Sequence, residues 1–347
     1  MKHIIILLLA VMIMLSAGCL DAKKAKPTEP VAPPPAIEEK PLLQQAQEKA
    51  IEADKLNADK KAIDSAEAYE SALDLFQKAL TEPDQPDSVK LAIQQSIQTM
   101  FKNLSIVEES AGDYPKALFY IDKRLETDSL NTQLIGKKYT IMKENLMDEA
   151  GGVKVLENFA SRHEYYDFYL NIADFYVAKN DIPTAVKWFV KADATKKNPK
   201  VTYNLGKYSR DLKNYNDSNK YFEEYLTTSP KPEELNPIYK ILGANYKTIG
   251  NNQKAIVYFE KSYALEQDPK IALALFDLYY KAKNDKMTIK YATQVLQNDP
   301  NNSDVIFVRG MSEYNLKDTI HAKADFEKVA NDPKYAKYAK QYLDSMK

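Results

Sequence analysis

The sequence has very few of the residues that build redox, metal and nucleotide sites. It contains one cysteine in 347 residues, Cys19, so no disulfide can form within the chain and no cysteine cluster can hold a metal. Its three histidines and nine glycines form neither an H-E-x-x-H zinc motif nor a phosphate-binding glycine loop. The formal net charge of −1 excludes a globally basic nucleic-acid-binding protein.

The sequence also lacks the catalytic motifs that a single chain can reveal. His163 and His321 are far apart in the chain, and no G-x-S-x-G motif marks a nucleophilic serine. Acidic pairs such as Glu223-Glu224 are adjacent in sequence, so their side chains leave different faces of a helix and are expected in solvent. We therefore predict a protein that is not an enzyme and that needs no metal and no cofactor.

Helix-forming and aromatic residues are abundant instead. Hydrophobic residues make up 44% of the chain, and tyrosine alone occurs 24 times. Few glycines together with much alanine, leucine and lysine favour a helical protein. The length is sufficient for a large core.

The first 18 residues have the features of an export signal. Lys2 precedes an unbroken apolar run over residues 4–15, which suits a signal-peptide core and is short for a membrane span of about 20 residues. The segment ending in Ser16-Ala17-Gly18-Cys19 resembles a bacterial lipobox, although Ser16 stands where leucine is usual. The resemblance implies a signal peptide over residues 1–18 and a lipidated Cys19. An uncleaved anchor and a conventional signal remain alternatives.

A proline-rich tether is predicted next, over residues 19–40. Six of the 17 prolines lie between Leu20 and Pro41, with almost no apolar residue at helical spacing. This composition favours an extended polyproline conformation of about 3.1 Å per residue. The segment would act as a spacer between the membrane and the folded part.

A recurrent helical hairpin organises the remainder, and residues 239–269 show it most clearly. The first helix presents one face at i, i+3, i+4 and i+7 spacing: Tyr239, Leu242, Gly243 and Tyr246. A second helix follows with Ala255 and Phe259 on one face, and Gly250 between the helices favours a left-handed helix end. Gly243 and Ala255 are small, which lets the two helices approach closely. One hairpin alone cannot bury its apolar face and therefore needs copies of itself as neighbours.

Those copies recur at steps of about 33 to 37 residues. The small residue of the second helix is found at Ala117, Gly152, Ala185, Ser218, Ala255, Thr288 and Ala322. The larger residue four positions later is Ile121, Leu156, Phe189, Phe222, Phe259, Ala292 and Phe326. The pattern resembles the tetratricopeptide repeat, with Tyr239 in place of the usual tryptophan. The resemblance covers roughly residues 41–347. It implies an all-α, right-handed α-α superhelix (a tetratricopeptide solenoid) of about eight helical hairpins plus a C-terminal capping helix near residues 335–343.

The resemblance also implies where a partner would bind, because the first helices of such hairpins line the concave surface. The residues left over after the packing face is assigned form a basic and aromatic stripe: Tyr203, Lys207, Arg210, Lys240, Lys247, Tyr280 and Lys281. The stripe ends in apolar residues: Phe307, Met311 and Tyr314. Tyrosine and arginine are frequent anchors of protein interfaces. Two alternatives stay open: the stripe is ordinary surface, or the C-terminal helix folds back over its apolar end.

The sequence thus predicts a scaffold lipoprotein of the cell envelope that binds an extended or helical segment of a protein partner in its groove. The predicted location of the protein is the outer membrane, on the periplasmic face or at the cell surface, and the inner membrane is the alternative. The competing hypothesis is a lipoprotein that delivers a small hydrophobic or anionic ligand to a transporter, which would require an enclosed pocket. Nucleic acid is not an expected partner, and the sequence leaves the oligomeric state open.

Overall fold

The computed structural model describes residues 40–346, so Cys19, the predicted signal peptide and nearly all of the predicted tether lie outside the described residues. Within this range the chain is helical and contains no strand. The helices are α1 Leu42–Ala58, α2 Ala62–Leu80, α3 Asp87–Ala111, α4 Tyr114–Leu125, α5 Thr132–Thr140, α6 Glu149–Ala160, α7 Tyr166–Ala178, α8 Ile182–Thr195, α9 Pro199–Asp211, α10 Tyr215–Leu226, α11 Pro232–Thr248, α12 Asn252–Leu265, α13 Pro269–Lys281, α14 Asp285–Asn298, α15 Ser303–Asn315, α16 Thr319–Lys328 and α17 Ala336–Ser345. A π-helical turn, Ile141–Asn145, continues α5.

Consecutive helices pair into eight antiparallel hairpins, from α1–α2 to α15–α16, and α17 follows the last of them. Each helix packs mainly against its neighbours in sequence, which is the contact pattern of a solenoid. The predicted all-α array of eight hairpins with a terminal helix is therefore confirmed.

The turn inside each hairpin has a recurring construction. A residue with positive φ ends the first helix. In every hairpin of the described chain after the first, an Asp or Asn then caps the second helix through its side chain. In the sixth hairpin Gly250 has φ 79°, as predicted, and the side-chain oxygen Oδ1 of Asn251 accepts from the Lys254 backbone amide at 3.1 Å. Other hairpins place a non-glycine residue at the same point, such as Lys213 with φ 60°. An Asx side chain at this position satisfies an otherwise unpaired helix N–H group.

The small residues of the repeat pattern allow the two helices of a hairpin to touch. A Cβ atom on Gly243 would lie 2.5 Å from the Phe259 ring, and one on Gly206 would lie 3.0 Å from Phe222. The seventh hairpin reverses this arrangement. Phe276 occupies the position of the small residue and Ala292 that of the large one, and both lie in the same buried cluster. The large and the small side chain have thus exchanged positions between the two helices, and their total volume is conserved.

Carboxylates on second helices join neighbouring hairpins at five of the seven junctions in the described chain. Each lies five residues after the small residue of its helix: Glu70, Asp122, Glu157, Glu223 and Glu260. Glu223 is the most connected of them. It accepts from Tyr246 Oη at 2.6 Å, from Tyr258 Oη at 2.9 Å and from Lys254 Nζ at 2.9 Å. One carboxylate thereby links α10 to both helices of the next hairpin.

From the third hairpin onward, each of these glutamates accepts a hydrogen bond from a tyrosine on the first helix of the next hairpin. Tyr176 Oη donates to Glu157 at 2.8 Å, and Tyr279 Oη donates to Glu260 at 2.6 Å. At the two junctions without the carboxylate, the tyrosine is missing too. Val190 stands at the carboxylate position and Ser209 at the tyrosine position of one junction, and Thr293 and Glu313 stand at these positions of the other. Donor and acceptor are thus present or absent together, as expected where an unpaired buried partner would be destabilising. We call these contacts the tyrosine–carboxylate links.

The final helix α17 closes the C-terminal end of the array. Tyr335, just before α17, stacks on Phe307 with ring centroids 4.4 Å apart, and Tyr342 stacks on Phe326 at 4.6 Å. Both phenylalanines are buried as a result. Helix α17 therefore covers the apolar face that the last hairpin would otherwise expose.

Candidate protein-binding groove

The predicted stripe lies on the first helices α9, α11, α13 and α15. Ion pairs join first helices of neighbouring hairpins at two points: Lys247 of α11 lies 3.8 Å from Asp277 of α13, and Lys137 of α5 pairs with Glu109 of α3. Neither Lys137 nor Glu109 was predicted to belong to the stripe. The π-helical turn after α5 interrupts the repeat pattern there and hides the register from sequence.

Lys207 and Arg210 are the unpaired positive charges of the middle of the stripe. Both side chains are exposed on α9. Within residues 40–346 neither makes an ion pair or a side-chain hydrogen bond, although the Lys207 ammonium lies 5.2 Å from the centre of the Tyr208 ring. Two cations on one helix face, one turn apart, are therefore available to a negatively charged partner.

Lys240 is less available than the sequence indicated. Its ammonium contacts Glu266 at 2.8 Å and Asp268 at 3.0 Å, both in the segment that leads into α13. These carboxylates raise the pKa of Lys240. The charge predicted for partner binding is thus balanced within the chain.

Tyr203 also has a different environment from the one predicted. It is half-buried, and its ring meets those of Phe222 and Tyr225 edge-on, with centroids 5.7 and 5.3 Å apart. Both partners belong to α10 of the same hairpin. Tyr203 therefore contributes to packing inside the fifth hairpin as well as to the stripe.

The stripe becomes partly apolar on α13. Leu273 is 42% exposed and Tyr280 is 43% exposed. Lys281 is exposed beside Tyr280. This helix thus adds two exposed anchors to the basic region on α9 and α11.

The apolar end of the predicted stripe is closed, and the expectation of an open surface at Phe307, Met311 and Tyr314 is corrected. Phe307 is only 8% exposed because Tyr335 and α17 pack over it. Met311 and Tyr314 pack against the same cluster, and the Tyr314 and Tyr342 rings meet edge-on at 5.1 Å. Of the two alternatives left open by the sequence, the structure shows the C-terminal helix covering these three residues.

Asp174 marks the other side of the basic region, on α7. Desolvation raises the pKa of its carboxyl group, while Lys200 and Lys143 act against this rise. An acidic side chain on α7, the first helix of the preceding hairpin, thus comes before the unpaired cations of α9. The resulting order of charges would favour one orientation of a bound segment over the reverse.

Residues 40–346 contain no group of three or more His, Cys, Asp or Glu side chains that could hold a metal ion. In the same range, no helix combines the length and the apolar character needed to cross a lipid bilayer.

The fold defines a class of protein, the α-solenoid built from helical hairpins. Its 33–37-residue period and its paired small and large packing positions are those of the tetratricopeptide repeat, as the sequence predicted. No protein-family model matches the sequence significantly, and neither does any curated protein.

Several solved tetratricopeptide repeat structures are similar to this chain. YrrB, described as a TPR protein with an unusual peptide-binding site, has 16% identity and a TM-score of 0.38 over 53% of this chain and 96% of its own. A tetratricopeptide repeat protein from Parabacteroides merdae has 13% identity and a TM-score of 0.35, over 87% and 99%. PilF of Pseudomonas aeruginosa has 17% identity and a TM-score of 0.32, over 72% and 97%.

Proposed function

We propose that this protein is a scaffold that binds an acidic, extended or helical segment of a protein partner along the stripe between α9 and α13. The observation that carries the proposal is the pair of exposed, unpaired cations Lys207 and Arg210 on the α9 face. Carboxylates of a partner would meet these cations through charge-assisted hydrogen bonds. Apolar side chains of the same segment would meet Leu273 and Tyr280, which are exposed on α13.

We further propose that the scaffold is held at a membrane of the cell envelope by lipid on Cys19 and takes part in assembling an envelope complex. Support comes from the sequence, in which the single cysteine follows an apolar run and three small residues. The full chain and a Cys19→Ala variant, fractionated from the same cells, test the anchor. The variant should leave the membrane fraction, and its full retention there would contradict lipidation.

The groove is tested by photo-crosslinking in intact cells. A photoreactive amino acid at Tyr280 should trap a partner, whereas one at Val257 should not, because Val257 is similarly exposed but lies on the second helix α12. In the protein with the photoreactive amino acid in place of Tyr280, the double substitution Lys207→Ala/Arg210→Ala should reduce the amount of trapped partner at least several-fold.

The matched control is Lys187→Ala/Lys220→Ala, which removes the same charge from exposed lysines on the second helices α8 and α10. It should leave trapping unchanged, and both double variants should keep the far-ultraviolet circular dichroism of the unmodified chain. Equal trapping by the groove variant, or an adduct at Val257 of equal yield, would refute the groove.

A further inference from the structure

A small cavity lies beside the long helix α3. This helix has 25 residues, whereas the first helices α7, α9, α13 and α15 have 13. The additional 12 residues, about 18 Å of helix, extend α3 beyond the repeat at its N-terminal end. Gln98 and Lys102 of α3 form one wall of the cavity, and the end of α4 with the loop that follows forms the other. The cavity has a volume of about 280 Å³.

Two cations line this cavity without a partner in the described chain. The Arg124 guanidinium is half-buried and makes no ion pair and no side-chain hydrogen bond within residues 40–346. Burial lowers the pKa of Arg124, and the negative charge of Asp128 opposes this effect. Lys102 is exposed and equally unpaired. A partly buried guanidinium without a carboxylate partner leaves its N–H donors available to an anion.

The neutral side chains of the cavity leave a donor available as well. Thr127 Oγ1 donates to the Arg124 carbonyl oxygen at 3.0 Å and lies 3.3 Å from Gln98 Oε1, and the NH₂ group of Gln98 has no partner among the described residues. Asn131 Nδ2 donates to Asp128 Oδ2 at 2.9 Å, so the only carboxylate of the lining is engaged by a neutral group. Asp128 forms no ion pair with Arg124. The cavity therefore has an excess of donors and of positive charge.

We propose that this cavity binds a small oxyanion, a carboxylate or a phosphate, through the fork of Arg124, the ammonium of Lys102 and the amide of Gln98. A planar guanidinium matches two oxygens of such an anion at once, and a lysine adds a point charge. The volume is just below the range of roughly 300–1,000 Å³ typical of ligand pockets, which suits an ion the size of phosphate or a short dicarboxylate. The site is separate from the α9–α13 groove and does not depend on the function proposed for it.

Calorimetric titration of the full chain tests the site, with sodium phosphate and sodium glutarate as probes and sodium chloride added to keep the ionic strength constant. At least one probe should bind saturably at one site, and Arg124→Gln should weaken it at least tenfold. Arg162→Gln, which removes an exposed and equally unpaired arginine that belongs to neither the cavity nor the groove, is the matched control and should bind as the unmodified chain does. The preferred probe identifies the anion as phosphate or carboxylate.

Three results would overturn the proposal: no saturable binding of either probe, equal binding by Arg124→Gln, or an equal loss in Arg162→Gln, which would indicate general screening. Should Arg124→Gln fail to fold, judged by circular dichroism, exposed Lys102→Ala takes its place. It should weaken binding several-fold without changing the melting temperature in the absence of anion, and unchanged binding would again refute the site.

Discussion

Removing one hydroxyl group from the tyrosine–carboxylate link of the sixth hairpin should loosen its junction with the fifth. In Tyr246→Phe the aromatic ring remains stacked on Tyr258, with centroids 5.7 Å apart, so packing is preserved. The 2.6 Å hydrogen bond that Tyr246 donates to Glu223 is lost, as is the 2.9 Å hydrogen bond that it accepts from Lys254 Nζ. A hydrogen bond to a charged acceptor contributes roughly 1.5–3 kcal/mol. Glu223 keeps Tyr258 and Lys254 as donors and is partly exposed, so we expect a loss near the lower end, about 1–1.5 kcal/mol.

A double-mutant cycle isolates this contribution. Tyr246→Phe is measured alone and together with Glu223→Gln by urea unfolding, followed by circular dichroism. Hydrogen–deuterium exchange of α10 and α11 serves as a local readout, because a repeat array need not unfold in one step. The coupling energy should be about 1 kcal/mol in favour of the native pair. Tyr239→Phe is the control, since the Tyr239 hydroxyl has no hydrogen-bond partner in residues 40–346.

The link should also respond to pH with a defined sign. Desolvation alone would raise the pKa of Glu223, but hydrogen bonds from Tyr246, Lys254 and Tyr258 outweigh it and hold the pKa below its usual value. The corresponding stability is present above the unfolded-state pKa of about 4.3 and is lost as the pH falls through the lower folded-state value. A coupling energy below about 0.3 kcal/mol at pH 7, or one that grows on acidification below pH 4, would refute the reasoning.

Two further predictions concern single buried positions. Burial and then the charge of Asp325 raise the pKa of Glu313 to about 7, so the stability that the protonated side chain allows is lost as the pH rises through that value. Glu313→Gln should therefore stabilise the last hairpin at pH 8 by roughly 1–3 kcal/mol and have little effect at pH 5. Thermal unfolding at both pH values, with exposed Glu327→Gln as control, checks this, and an equal effect at both would contradict it. Gly243→Ala should destabilise the chain by roughly 1–3 kcal/mol because its Cβ meets the Phe259 ring at 2.5 Å. Phe259→Ala in the same chain should make the additional cost of Gly243→Ala smaller, and a raised melting temperature for Gly243→Ala alone would argue against the close contact.

The hairpin array could be predicted from sequence because its period is carried by local packing positions. Ala117, Ala185 and Ala255 recur at nearly constant steps, and each is fully buried. A small residue at that spacing is required wherever two helices touch, so the signal survives changes elsewhere in the repeat. The exchange of Phe276 and Ala292 in the seventh hairpin broke the pattern without breaking the packing. Such compensation can be recognised only once the two positions are known to be neighbours.

The candidate site was less accessible to prediction because it depends on contacts between distant segments. Lys240 meets Glu266 and Asp268, which are 26 and 28 residues away in a connecting segment. The burial of Phe307 depends on where α17 docks, and an amphipathic terminal helix is compatible with either placement. Arg124 and Lys102 carried no motif, since they are 22 residues apart in the sequence and line one cavity only in the folded chain.

The matched occurrence of tyrosine and glutamate sets a rule for changing the number of repeats. Excision of α11 and α12 would bring Glu223 opposite Tyr279, so that the new boundary would have the same acceptor and donor as the old one. Excision of α9 and α10 would instead bring Val190 opposite Tyr246 and leave a phenol without its acceptor. Shortening or duplication of the array, in evolution or by engineering, is therefore tolerated at some boundaries and penalised at others.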